Sequence, residues 1–316
     1  MEKCERNCAM EDYLVYTDSA ADLPASAYEK FDIRIVPMDY VLNGKSVTFH
    51  TEAPDHDAHC DELYRAQKEG ADVQTSQIVP YRYIETWTPE LEAGHDILYL
   101  SFSSGMSATY DNAVGAANQL MEEFPDRKIR VVDSLAATAG EGVVAYTAAL
   151  NRSKGMSLEE NAKFMQEHVK YIRHVFTVGD LNYLHKGGRV SAAVAVIGTM
   201  LNIKPMLIIN SLGKLDVVGK TRGHNQALKA LISGFKSRGA GSVEGLPKVI
   251  FIGHTSDYEG VKHLKEMVQE AAGPDAVVET ICESPIIGVH TGTDFYSVCF
   301  WGQPVEEDLK DERKNG

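Results

Sequence analysis

The chain has 316 residues, enough for one large domain or two ordinary ones with a substantial core. Its formal net charge of −14 excludes a general nucleic-acid binder, and it contains no apolar run long enough to cross a bilayer. Five cysteines, an odd number, and an N-terminus without an apolar signal core point to reduced thiols in a cytosol.

Residues 1–12 read as a polar extension. Cys4 and Cys8 have half the makings of a metal site, but no Cys/His pair nearby completes it. Tyr13 to Tyr16 predicts a strand. Thr17-Asp18-Ser19 follows, and Pro24 suits the first turn of a helix running to about Lys30. Ile33 to Val36 is a second strand, stopped by Pro37. Residues 43–67 are polar and show a helical pattern only over 61–67. Val73 to Gln77 reads as a polar turn before a Tyr/Trp-rich helix over 81–91.

Ile97 to Leu100 is a short apolar strand, and a Ser-rich turn from Ser101 to Ser107 comes directly after it. Ala113, Val114, Ala117, Leu120 and Met121 then fall at helical spacing. In an open α/β sheet such a turn lies at the carboxyl edge of the strands, where ligands bind. Its hydroxyls either cap the helix or receive an oxygen-rich, anionic group. Ile129 to Val132, Asp133-Ser134 and a helix over 138–152 repeat the arrangement. Strands alternating with helices imply a mainly parallel sheet. Right-handed crossovers would bring the turns at Thr17, Ser101 and Asp133 to one edge.

Ser157-Leu158-Glu159-Glu160 fits a capping box, opens a helix to about Tyr171 and marks a domain junction. Val175 to Val178 is a strand, and Gly187-Gly188 ends a short helix. Residues 192–201, apolar with small side chains all round, predict a helix that is buried or lines a cavity. Met206 to Ile209 and Leu215 to Val218 read as a hairpin. A helix over 225–236, a strand over 249–252, a helix over 261–271 and a strand over 277–282 follow. Residues 285–293 lead into a last strand, Phe295 to Trp301, and the tail from Glu306 is charged. His290, between Gly288 and Gly292, is either an ordinary loop histidine or a group that small neighbours leave open to a ligand.

Several enzyme signatures are missing. Ser101 to Ser107 does not supply Gly-x-Ser-x-Gly, although Ser104 with His290 as base remains a rival reading as an acyl hydrolase or transferase. Gly213-Lys214 and Gly219-Lys220-Thr221 lack the upstream glycine of a P-loop. Neither a dinucleotide-binding glycine pattern nor a zinc pattern occurs. What remains is hydroxyls without an evident acid, base or metal, which suits binding more than catalysis. Lys186, Arg189, Lys204, Lys220 and Arg222 are either scattered solvated charges or a docking face for an anionic ligand or an acidic surface.

Taken in order, Thr17 to Pro24, Thr75-Ser76-Gln77, Ser103 to Tyr110, Asp133-Ser134, Gly187-Gly188-Arg189, Lys204-Pro205, Gly219 to Arg222 and Gly288-Val289-His290 resemble one family. It is the DegV family of bacterial fatty-acid-binding proteins, the FakB-type subunits of fatty acid kinase. The resemblance covers about Tyr13 to Trp301. It implies two α/β domains, 13–172 with a mainly parallel sheet and 173–305 with a mixed sheet, flanked by an extension over 1–12 and a tail over 306–316. It further implies a long-chain fatty acid held between the domains, its carboxylate against Thr75, Ser103 or Ser104, and His290. No cofactor is implied, no catalysis by this chain, no nucleic acid and no stable membrane insertion. The partner is a separate kinase related to dihydroxyacetone kinases, which uses ATP to make acyl phosphate for phospholipid synthesis. Arg189 is implied in docking to it. The helix over 192–201, with Val194, Ile197 and Met200, is the candidate tunnel wall. The chain departs from the family pattern at Ile78, at Ala108 and at Gly292-Thr293-Asp294-Phe295, the last of which is expected to reshape the carboxyl end of the pocket.

Overall fold

The computed structural model describes residues 13–195, 202–255 and 257–305. The chain opens β1 (Tyr13–Asp18), α1 (Ala25–Phe31), β2 (Ile33–Val36), β3 (Met38–Leu42), β4 (Lys45–Phe49), α2 (His56–Lys68), β5 (Val73–Thr75) and α3 (Pro80–Glu92). It continues β6 (Asp96–Ser101), α4 (Thr109–Glu123), β7 (Ile129–Asp133), α5 (Thr138–Ser153), α6 (Leu158–His168), β8 (Ile172–Val178), α7 (Leu181–Lys186) and α8 (Ala192–Ala195). The last part is β9 (Ile203–Ile209), β10 (Leu215–Arg222), α9 (His224–Ser237), β11 (Val249–His254), α10 (Tyr258–Ala272), β12 (Val277–Cys282), α11 (Pro285–Thr291) and β13 (Phe295–Trp301).

Three sheets result. The first is parallel, in the order β2-β1-β6-β7. β1 is buried along its whole length, as a parallel strand covered on both faces should be. The second runs β10-β9-β8-β13-β11-β12 and is mixed: only β11 and β12 pair in parallel. The third is a small antiparallel sheet, β4-β3-β5. The expected mixed α/β architecture, with one parallel and one mixed sheet, is thus present.

Residues 43–67, which gave little sequence signal, supply β4 and most of α2. β4 is exposed over most of its length, so it carries no apolar alternation to read. Residues 73–75 form the edge strand β5 rather than a turn. Residues 285–291 form helix α11, with Pro285 in its first turn, so His290 stands on a helix and not in a loop.

The helix α5 packs on β1 and β6 of the parallel sheet and on β8, β11 and β13 of the mixed sheet. It is buried nearly all round, and its small residues, Ala139, Gly140, Gly142, Ala145, Ala148 and Ala149, let both sheets approach. A Cβ on Gly140 would sit 1.9 Å from His174 Nε2 of β8, and one on Gly142 would sit 2.1 Å from the Asp22 carbonyl. One hydrophobic cluster therefore joins Tyr13 and Leu98 of the first sheet to Phe251 and Trp301 of the second. The Ser157 capping box forms as read, with Ser157 Oγ accepting from the Glu160 amide and the Glu160 carboxylate accepting from the Ser157 amide.

Candidate functional site

A cavity of about 550 Å³ lies where the three sheets meet α11 and the turns after β1, β6 and β7. That volume falls in the range of small-molecule sites, and such sites favour the carboxyl edge of α/β sheets. Met38, Phe102, Met106, Phe176, Leu215 and Phe295 form much of its apolar wall. The exposed Ser76, Gln77 and Ala108 mark its mouth. Buried Thr138, His174, Glu283 and Ser297 mark its floor.

At the mouth, β5 carries Thr75 to the C-terminal end of α11. Thr75 Oγ1 and His290 Nε2 are 2.7 Å apart. Gly187 follows α7, and a Cβ there would come within 2.4 Å of His290 Nδ1; the glycine lets the ring seat against the backbone. Burial lowers the His290 pKa to about 4, and the nearby Arg189 guanidinium pushes it the same way. The ring is therefore uncharged at neutral pH. Arg189 is itself partly buried, lines the cavity, and donates to the Gly187 carbonyl. Thr75, His290 and Arg189 thus meet at one end of an apolar cavity.

The serines of the turn after β6 do not join them. Ser103 is fully buried, donates to the Gly213 carbonyl at 2.8 Å and accepts from the Gly105 amide at 3.2 Å. It clamps the turn before β10 onto the turn after β6. Ser104 is exposed, and its amide donates to Asp133 Oδ1 at 3.1 Å. Neither lines the cavity; Ser107, three residues on, does. A Ser104–His290 hydrolase gains no support from this arrangement, since the hydroxyl that meets His290 belongs to Thr75. Val194 packs against the core and lines a smaller cavity of about 420 Å³ on the far side of Arg189, not the large one. Ile197 and Met200 lie outside the described residues.

The three polar turns do converge on one edge, but they do so by bonding to one another. Asp18 Oδ2 accepts from Tyr99 Oη at 2.7 Å and from the Phe102 amide at 3.1 Å, while Oδ1 accepts from the Ala20 amide. Asp133 Oδ1 accepts from the Leu135 amide as well as from Ser104. The Ser103 amide donates to the Ala136 carbonyl. With most of their polar atoms so occupied, the turns offer the cavity chiefly Ala20, Phe102, Met106 and Ala137, beside the Ser107 hydroxyl. Sequence reasoning missed the floor groups. His174 is one of three polar residues, with Arg173 and Thr177, in a fully buried seven-residue strand, and Glu283 precedes a helix with no motif around it.

Comparison with known proteins follows the same lines. A family profile described as "Uncharacterised protein, DegV family" matches residues 13–303. A DegV domain-containing protein of Clostridium perfringens is 34% identical over 298 residues, covering 94% of this chain and 100% of the relative. A DegV lipid-binding protein from Thermotoga maritima superposes with a TM-score of 0.79 at 26% identity, over 93% of this chain and 99% of that one. A structure described as fatty acid binding of a DegV family protein from Thermus thermophilus gives a TM-score of 0.79 at 28% identity, over 92% of this chain and 99% of the other.

Proposed function

This chain belongs to the DegV family, and from that premise we propose that it binds a long-chain fatty acid and presents the carboxylate to a separate fatty acid kinase. The observation that carries the reading is the apolar cavity with an uncharged Thr75–His290 pair at its open end. Burying acyl chain gains about 0.8 kcal/mol per CH₂, so a chain of roughly sixteen carbons gains about 11 kcal/mol gross. The wall supplies the affinity. The head needs only partners, because a buried polar group left without them is costly.

In this reading a neutral His290 donates from Nε2 to Thr75 Oγ1, which turns the threonine proton toward the carboxylate. Ser107 adds a hydroxyl on the opposite lip, and Arg189 supplies positive charge beside the mouth. No group in the set attacks or protonates the acid, so its oxygens stay available to receive a phosphoryl group. The kinase, related to dihydroxyacetone kinases and using ATP, would dock over the exposed mouth in the cytoplasm, with Arg189 serving both ligand and partner.

Native mass spectrometry of protein purified from bacterial cells tests the binding. A co-purified acid is expected, and stripped protein should take up palmitate or oleate. Protein that arrives empty and takes up neither would overturn the reading.

A further inference from the structure

The floor of the cavity holds a second polar set that the carboxylate-binding end does not use. Glu283 and His174 are 0% and 2% exposed, and both line the cavity. Glu283 Oε2 accepts from Thr291 Oγ1 at 2.5 Å, but Glu283 Oε1 has no hydrogen-bond partner. His174 Nε2 receives the Ala137 amide at 3.5 Å, and Nδ1 has no partner. Two orphaned polar atoms, one from each of two residues lining one cavity, are unusual, because buried polar groups are almost always paired.

The neighbouring hydroxyls bond elsewhere and leave these two atoms unpaired: Thr138 Oγ1 donates to Asp22 Oδ2 at 2.6 Å, and Ser297 Oγ accepts from the Gly253 amide at 3.2 Å. The Thr291 hydroxyl holds the carboxyl, and the backbone beneath it is fixed: the Glu283 amide donates to the His254 carbonyl at 2.8 Å, and the Glu283 carbonyl accepts from Tyr64 Oη at 2.7 Å and from Cys60 Sγ. The floor set shares no bonding partner with Thr75 and His290. His174 is also set apart along the wall. β8 passes from His174 through Phe176 to Val178 and then toward α7 and Arg189, so an apolar residue stands between His174 and the mouth.

We propose that the ligand carries a second oxygen function, a hydroxyl or keto group on its acyl chain, which Glu283 and His174 hydrogen-bond at the cavity floor. The inference rests on the fatty-acid reading and names the class of acid. Burial pushes the Glu283 carboxyl well above the usual carboxylate range and lowers His174 to about 3. His174 is then uncharged at neutral pH, and burial disfavours charge on Glu283. That pairing suits a neutral alcohol or carbonyl, whereas an unsubstituted chain end would leave both atoms unpaired.

The test uses the stripped full chain and competition between palmitate and monohydroxypalmitic acids whose hydroxyl is moved carbon by carbon along the chain, with ketopalmitic acids in parallel. At least one substituted acid should bind about tenfold more tightly than palmitate, the size of one added hydrogen bond. Glu283→Leu should collapse that ratio to within about twofold. Palmitate binding with no advantage for any substituted acid overturns the proposal and leaves the fatty-acid reading standing; a floor pair satisfied by water gives this result. Failure of every acid to bind overturns both. The parent protein alone decides between these outcomes should the variant not fold.

Discussion

Replacing Thr75 by valine keeps its shape and removes one hydroxyl, and the structure fixes what should follow. Thr75 Oγ1 is the polar partner of His290 Nε2 at 2.7 Å. A hydrogen bond to a charged group is worth about 1.5–3 kcal/mol, so palmitate should bind the variant roughly 10- to 150-fold more weakly. Binding should not vanish, because chain burial of about 11 kcal/mol gross is untouched. Hexadecanol separates the two contributions. In the parent, palmitate should outcompete hexadecanol; in Thr75→Val that advantage should shrink by the same factor, while hexadecanol itself changes little. Titration calorimetry of both ligands against both proteins closes the cycle. Equal affinity of the parent for acid and alcohol, or an unchanged palmitate affinity in the variant, would refute a carboxylate seat at Thr75.

Arg189→Gln should weaken palmitate binding less than about tenfold, as for a partly exposed charge, yet reduce kinase-coupled acyl phosphate production far more; losses of the same size in both assays would remove the docking role. Gly105→Ala should lower the urea midpoint, because the new Cβ would lie 2.3 Å from the Leu212 carbonyl and 2.6 Å from that of Gly213, both backbone atoms. Overpacking of this kind costs about 1–3 kcal/mol, and an unchanged midpoint would show that the turn after β6 is not clamped there. His290 titrates at about 4 in the folded chain against 6.5 unfolded. Its stabilising contribution is therefore complete above pH 6.5 and lost as pH falls toward 4. The stability difference between parent and His290→Gln should shift against the parent by about 2 kcal/mol between pH 7.5 and pH 5, and a pH-independent difference would mean that the ring is not held neutral.

The regular elements were legible where burial imposes a period. β1, β6 and β13 are buried along nearly all their residues and announce themselves as apolar runs, whereas β8, equally buried, was legible only over Val175 to Val178 because Arg173 and His174 interrupt its first half. β4 and β5 are exposed or edge segments whose existence depends on pairing with β3, and no local pattern records that. α5 shows a different limit. Its sequence predicts a helix, but only the assembled fold shows that its alanines and glycines face two sheets at once. The core is consequently continuous past the helix that the Ser157 capping box opens, and a local helix signal says nothing about where a core divides.

The site shows why residue type underdetermines role. The motif Thr17-Asp18-Ser19, the serines after Leu100 and Asp133-Ser134 converge as their place after successive strands predicts, since all three turns end strands of one parallel sheet. The same chemistry that lets a hydroxyl or carboxylate hold a ligand lets it hold a neighbouring turn, and proximity makes the second use available first. Thr17 Oγ1 donates to the Leu100 carbonyl at 2.9 Å, Ser19 Oγ donates to the Phe49 carbonyl at 2.5 Å, and Ser103 Oγ donates to the Gly213 carbonyl. Polar atoms left over for a ligand are those the fold brings near apolar surface after the turns are satisfied: Thr75 from an edge strand, His290 from a short helix, and the orphaned atoms of Glu283 and His174. The first two stood in recognisable motifs. The last two could be identified only by counting which buried polar atoms remain unpaired, a property of the folded chain that no spacing in the sequence encodes.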